Sequence, residues 1–182
     1  IVFGFIGRMA REKNLETLLA AFDEVHRQLP EARLLLVGPG PYLPELRHFA
    51  GRLDSNQAIV FTDRVPFEEI AHYHAALDVF VMTSTTEVQP LVLPEAMAAG
   101  ACLVAADAVG PRDVLIKEKT GLLCEPTQEA FVTTMLKAGR EPELRHRLGQ
   151  AARQAAEEYD IPKATERLLT LYRNTLADYQ KR

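Results

Sequence analysis

The sequence has 182 residues, a formal net charge of −4 and 47% hydrophobic residues. This length suits one α/β domain with a buried core. The acidic balance argues against a nucleic-acid-binding surface, and no apolar run approaches the roughly 20 residues of a membrane-spanning helix. No targeting signal precedes the first apolar run, so we expect a cytoplasmic protein. Because the chain opens inside a strand-like run, we also expect a fragment cut at a domain boundary; a peripheral position of the full-length protein on a membrane stays open.

Strand-like and helix-like patterns alternate along the chain. Short apolar runs predict strands at residues 1–7, 33–37, 59–62, 78–82, 101–106 and 121–124. Helical spacing predicts helices at residues 14–29, capped by Asn14, at 43–53 and 66–77, in a short segment ending at Gly100, and at 128–138, 142–159 and 162–179. This alternation predicts an α/β fold, a Rossmann-like parallel sheet of about six strands with helices on both faces. In such sheets ligands bind beyond the carboxyl ends of the strands.

Neither the cysteines nor the histidines have the spacing of a metal site. Cys102 and Cys124 lie in separate apolar runs, where core thiols are expected. His72 and His74 lie two positions apart on a predicted helix, so their side chains point in different directions. We therefore predict no metal site.

Two cations follow the first strand. Arg8 and Lys13 lie in the loop just before the first predicted helix. Cations beside the free N–H groups of a helix start suit a pyrophosphate, but solvated loop charges explain this loop equally well. The loop has neither a Gly-x-Gly-x-x-Gly turn nor a Walker ending, which argues against dinucleotide and P-loop sites.

Two glutamates flank a seven-residue spacer after the fourth strand. Glu87 lies on the loop, Glu95 lies in the following helix, and Leu91, Val92 and Leu93 are expected to begin that helix with free amides. The amides can hold a phosphate and the carboxylates can accept hydrogen bonds from sugar hydroxyls. From the residues alone, a surface glutamate and a first-turn helix acid are the simpler explanation.

Taken in order, the motifs resemble one family. They are Gly7-Arg8 with Lys13, Val37-Gly38-Pro39-Gly40-Pro41, Phe61 with Val65, Glu87 and Glu95 with the Glu-Ala-Met-Ala-x-Gly run, and Gly121-Leu122-Leu123. Together they resemble the C-terminal domain of the family-4 retaining glycosyltransferases ("group 1"), which have the two-domain GT-B architecture. The resemblance implies that residues 1–182 form the donor-binding domain, with a helical tail at about 141–182, and that an N-terminal acceptor domain is absent.

The resemblance also implies a reaction and a site. A nucleotide sugar, with UDP-sugar favoured, would transfer its sugar with retention to an acceptor sugar or lipid-linked sugar. No metal or other cofactor would be needed. The fragment alone would bind the donor without completing the transfer. The implied catalytic residues are Arg8 and Lys13, which hold the diphosphate, and Glu87, near the donor sugar. The implied donor-binding residues are Gly38, Arg64, Val65, Pro66, Leu91, Val92 and Glu95, the last of these binding the ribose hydroxyls.

Some residues depart from the family pattern. Val88-Gln89-Pro90 replaces a common Gly-Phe-Gly, and Pro94 lies within the predicted helix. Pro90 offers no N–H, and Pro94 is best tolerated in a first turn. These departures leave open a non-catalytic nucleotide-sugar-binding module. A sugar-nucleotide epimerase of the same fold is a second alternative. The Glu-x7-Glu loop argues against the epimerase.

Overall fold

One sheet of six parallel strands forms the centre of the protein. The computed structural model describes residues 1–180. The strands are β1 Val2–Ile6, β2 Arg33–Val37, β3 Ile59–Thr62, β4 Val79–Met82, β5 Cys102–Ala106 and β6 Leu122–Cys124. They pair in parallel in the order β3-β2-β1-β4-β5-β6. This order confirms the predicted Rossmann-like α/β fold, and it places the loops after β1 and β4 side by side.

The helices follow the predicted alternation with one addition. They are α1 Leu15–Gln28, α2 Leu43–Ala50, α3 Ile70–Ala75, α4 Val92–Ala99, α5 Val109–Val114, α6 Gln128–Arg140, α7 Pro142–Ala156 and α8 Ile161–Gln180. The pattern did not predict α5, which contains Gly110 and Pro111. The helix predicted at residues 66–77 is shorter, because its first turn, Phe67–Glu69, is 3-10 and only α3 is α-helical.

Both faces of the sheet are covered. Phe80, Val81 and Met82 are all at most 1% exposed although successive strand residues point to opposite faces. Helix α1 packs against α6, and α4 packs against α3 and α7. The buried apolar strands are therefore those of a parallel sheet between helical layers.

Asn14 does not cap α1 through its side chain, so that prediction is wrong. Asn14 adopts a left-handed conformation with φ 53°, and its Oδ1 accepts a hydrogen bond from the Thr17 hydroxyl, 2.9 Å away, instead of from a helix amide. The chain leaves a 3-10 turn at Arg11–Lys13 immediately before. Asparagine tolerates the left-handed turn that joins this segment to α1.

The last helix lies on the surface. All of α8 is exposed through residue 179, including Leu168, Tyr172 and Leu176, whereas α7 packs against α4 and β5. Residues 181 and 182, the end of the predicted tail, lie outside the described residues. Within residues 1–180, no helix has the length and apolar character needed to cross a membrane.

Candidate functional site

The loops after β1 and β2 are joined by backbone hydrogen bonds. The Gly7 amide donates to the Val37 carbonyl at 2.9 Å, and the Met9 amide donates to the Pro39 carbonyl at 2.9 Å. Gly38 has φ +129°, and a β-carbon there would lie 2.3 Å from the Gly7 carbonyl oxygen. Only glycine satisfies both conditions, so Gly38 allows the two loops to meet at the carboxyl edge of the sheet.

A cavity of about 270 Å³, here called the cation cavity, opens between the loops after β1 and β4. Its lining includes all three predicted catalytic residues and both predicted phosphate-binding residues: Arg8, Lys13, Glu87, Leu91 and Val92. The fold thus brings together residues that are up to 84 positions apart in the sequence (Arg8 and Val92).

Each cation of this cavity has a carboxylate partner. Lys13 pairs with Glu87, and the two side chains are 21% and 18% exposed. Arg8, which is 65% exposed, pairs with Glu12 on its own loop. The Ser84 hydroxyl also donates to Glu87 at 3.3 Å. Glu87 is therefore held by two neighbours rather than lying free on the surface.

The start of α4 presents free backbone amides to the same cavity. Among residues 1–180, neither the Leu91 nor the Val92 amide has a hydrogen-bond acceptor. The Leu93 amide, which was also expected to be free, donates to the Pro90 carbonyl at 3.0 Å, so that expectation is wrong. Pro94 has no N–H that could donate to the Pro90 carbonyl four residues earlier, and the Leu93 amide takes its place. The first turn of α4 therefore accommodates a proline without leaving that carbonyl unpaired.

A second cavity of about 320 Å³, here called the glycine cavity, adjoins the first. It is lined by Ile6, Gly7, Val37, Gly38, Pro39, Val65, Phe67, Ile70, Val92 and Glu95. The cavities share Ile6, Gly7 and Val92. Of the predicted base-lining residues only Val65 is in this lining; Arg64 and Pro66 are exposed outside it.

The sequence did not single out Phe67 or Ile70. Phe67 is 87% exposed at the rim, and Ile70 begins α3. Phe67 directly follows the segment at residues 64–66, which the family resemblance had placed near the base, and Ile70 lies one turn further on. The signal available in the sequence was an aromatic residue directly after a predicted ligand-binding segment.

The cysteines are not candidate nucleophiles. Burial raises the pKa of Cys102 to about 12 and also raises the pKa of Cys124. Both groups are thus neutral thiols at physiological pH. No cluster of three or more His, Cys, Asp or Glu side chains within residues 1–180 is arranged to hold a metal ion.

Comparison with known proteins identifies the family of this chain. The family model described as "Glycosyl transferases group 1" matches residues 1–155. The sulfoquinovosyl transferase SQD2 of Arabidopsis thaliana is 37% identical over 167 residues, which are 90% of this chain and 31% of that protein. The chain therefore spans about a third of the length of this curated relative.

Two solved structures are similar in fold. The C-terminal domain of a group 1 glycosyltransferase (LpcC) from Francisella tularensis has a TM-score of 0.80 and 21% identity, covering 88% of this chain and 86% of that one. Anabaena HepE, solved with UDP and glucose, has a TM-score of 0.86 and 22% identity, covering 95% of this chain and 48% of that one. The chain matches the C-terminal half of the GT-B architecture.

Proposed function

Because the chain belongs to the group 1 glycosyltransferases, we propose that it binds a nucleotide-diphosphate sugar for retaining, metal-independent transfer of the sugar. The observation that supports this most directly is the cation cavity. It combines Arg8, Lys13 and the free amides of Leu91 and Val92 beside a second cavity with a carboxylate.

The cation cavity is proposed to hold the diphosphate. The two cations after β1 provide positive charge for the phosphate oxygens, and the two free amides at the start of α4 provide directed N–H groups. When the bond to the sugar breaks, negative charge grows on the leaving diphosphate. Arg8 and Lys13 would stabilise this charge, the task that a metal ion performs in other transferases.

The glycine cavity is proposed to hold the nucleoside. Gly38 keeps the floor open, Val65 and Ile70 offer apolar contact, and Phe67 can contact the face of the base. The Glu95 carboxylate, 53% exposed at this cavity, can accept hydrogen bonds from ribose hydroxyls. Because Val92 borders both cavities, a ligand lying across it would place its diphosphate in one and its ribose in the other.

Glu87 is proposed to contact the donor sugar. It lines the cation cavity beyond Lys13, and its second oxygen can accept from a sugar hydroxyl. Attack by the acceptor on the same face as the departing diphosphate would retain the anomeric configuration.

The acceptor site is proposed to lie outside residues 1–182, which act as one donor-binding domain with a helical tail at about 141–182. This is supported by the share of the relative that the chain spans, 31%, and by its match to an isolated C-terminal domain. A sugar or a lipid-linked sugar would be the acceptor. We expect the 182-residue chain to bind donor and to transfer nothing.

Titration calorimetry of the chain with UDP, GDP and ADP tests the proposal. HepE was solved with UDP, so UDP is the first ligand to try. We expect one nucleotide to bind, and Arg8→Ala and Lys13→Ala each to weaken it by about 1.5–3 kcal/mol, the range for charge-assisted hydrogen bonds. Arg27→Ala is a matched control, because Arg27 is also exposed and paired with a glutamate, Glu24. Binding that is equally strong in all variants would contradict the proposal.

A non-catalytic nucleotide-sugar-binding module is the second candidate. Gln89 and Pro90 line the cation cavity, and Pro90 supplies no N–H there. Replacing Val88-Gln89-Pro90 with Gly-Phe-Gly in the full-length protein separates the two. Transfer that is present before the replacement supports the enzyme, and transfer that appears only afterwards supports the module.

A further inference from the structure

A buried histidine lies behind the proposed ribose-binding carboxylate. His74, on α3, is 3% exposed, and neither of its ring nitrogens has a hydrogen-bond partner. Burying such groups without a hydrogen-bond partner costs stability, because each loses its bonds to water. A phenylalanine of similar size would avoid this cost, so the retained nitrogens point to a task outside folding.

Glu95 is the charged residue that approaches the ring. Its Oε2 lies 3.4 Å from His74 Nε2, within ion-pairing distance, although the two atoms do not form a hydrogen bond. The imidazole ring also contacts Phe80, whose ring centroid is 6.0 Å away. Glu95 is half exposed and can turn toward the ring, whereas His74 is buried on α3.

Among the described residues, no other cation forms an ion pair with this carboxylate. Arg153 borders a neighbouring cavity together with Glu95, yet within residues 1–180 no ion pair joins them. His72, on the same helix, is exposed and faces away. The tautomer that protonates Nε2 directs this N–H toward the Glu95 carboxylate.

We propose that His74 is a positioning residue for Glu95: it donates Nε2–H to one carboxylate oxygen and so turns the other toward the ribose hydroxyls. This inference rests on the proposed function, because it assumes that a nucleoside diphosphate occupies the glycine cavity. His74 does not touch the ligand. By holding the Glu95 side chain in one orientation before the ligand binds, His74 reduces the conformational entropy that Glu95 loses on binding.

The test is a cycle of two ligands and three variants of the 182-residue chain. UDP and 2′,3′-dideoxy-UDP, which lacks both ribose hydroxyls, are titrated into wild type, His74→Phe, His74→Gln and Glu95→Gln. We expect His74→Phe to weaken UDP about three- to tenfold, below the full value of a charged hydrogen bond because Glu95 is half exposed. The dideoxy ligand should bind equally to wild type and His74→Phe. His74→Gln keeps an N–H donor and should recover most of the UDP affinity.

Two further measurements separate positioning from packing. His74→Phe should raise the thermal midpoint or leave it unchanged, because it removes two unpartnered buried nitrogens. Adding it to Glu95→Gln should cause no further loss of UDP binding. His72→Phe, the same change at an exposed position of α3, should affect neither ligand.

The outcomes distinguish this inference from the function on which it rests. If wild type binds neither UDP, GDP nor ADP, both fail. If UDP binds and Glu95→Gln weakens it while His74→Phe does not, or if His74→Phe weakens both ligands equally, the positioning role alone is overturned.

Discussion

The ion pair between Lys13 and Glu87 leads to an unusual prediction: removing an acidic residue of the proposed site should strengthen diphosphate binding. In the structure, Lys13 is bound to Glu87. A diphosphate that enters the cation cavity must share Lys13 with that carboxylate and also meets its negative charge. Glu87→Gln keeps the shape of the side chain and removes the charge.

The magnitude follows from the burial of the pair. The two side chains are 21% and 18% exposed, so the interaction is stronger than that of fully exposed pairs, yet far from that of a dry interior. We take about 1 kcal/mol for the interaction that UDP must compete with, which corresponds to about a fivefold gain in UDP affinity. For a complete nucleotide sugar the gain should be smaller, because Glu87→Gln also weakens the proposed contact with the sugar.

Calorimetry with UDP at two salt concentrations measures this. We expect the gain to shrink as salt rises, because charge interactions are screened. Glu12→Gln, which removes the exposed partner of Arg8, is the control and should change UDP affinity less. Unchanged or weaker UDP binding by Glu87→Gln would refute the reasoning, since it would mean that Glu87 does not compete for Lys13.

Three other experiments test the close contact at Gly110, the exposed ring of Phe67 and the burial of Cys102. Gly110→Ala places a β-carbon 2.3 Å from the Glu87 carbonyl oxygen and should lower the free energy of unfolding in urea by about 1–3 kcal/mol, whereas Gly51→Ala, with no atom nearer than 3.4 Å, should not. Phe67→Ala should weaken UDP by about 0.5–1.5 kcal/mol without altering the thermal midpoint, because Phe67 is 87% exposed; unchanged affinity would place the base elsewhere. Burial raises the pKa of Cys102 to about 12, so iodoacetamide at pH 8 should modify this residue only under unfolding conditions, and rapid labelling of Cys102 in the native protein would contradict its burial.

The alternation of strand-like and helix-like patterns made the sheet predictable. The sequence pattern did not predict every segment that connects the strands. Uninterrupted apolar runs such as residues 34–37 in β2 are typical of strands covered on both faces. These strands lie where the sequence predicted them. Helix α5 was missed because its six residues include a glycine and a proline, which both oppose helix formation. The Gly110 amide donates a hydrogen bond to the Glu87 carbonyl at 3.1 Å. This contact joins residues 23 positions apart (110 against 87), so the local sequence could not show it.

The candidate residues of the proposed site came from the order of the motifs. That order singled out Lys13, Glu87 and Glu95, and the fold places all three in the lining of the two cavities. Motif order could not identify His74, because its burial and its approach to Glu95 depend on the packing of α3 against α4. Asn14 failed as a cap for a similar reason: its side chain amide lies 3.4 Å from the Thr83 carbonyl, a contact that no local rule contains.

The contacts of Glu87 explain why the cation cavity should respond to changes as a unit. The Glu87 side chain binds Lys13, and its backbone carbonyl accepts from Gly110 at the start of α5. The Lys13 carbonyl in turn accepts from the Thr83 hydroxyl at 2.9 Å, so the loops after β1, β4 and β5 restrain one another. Residues that share partners in this way do not contribute independently. The losses of UDP affinity in Lys13→Ala and Thr83→Val should therefore fail to add in the double variant, although only Lys13 is proposed to touch the ligand.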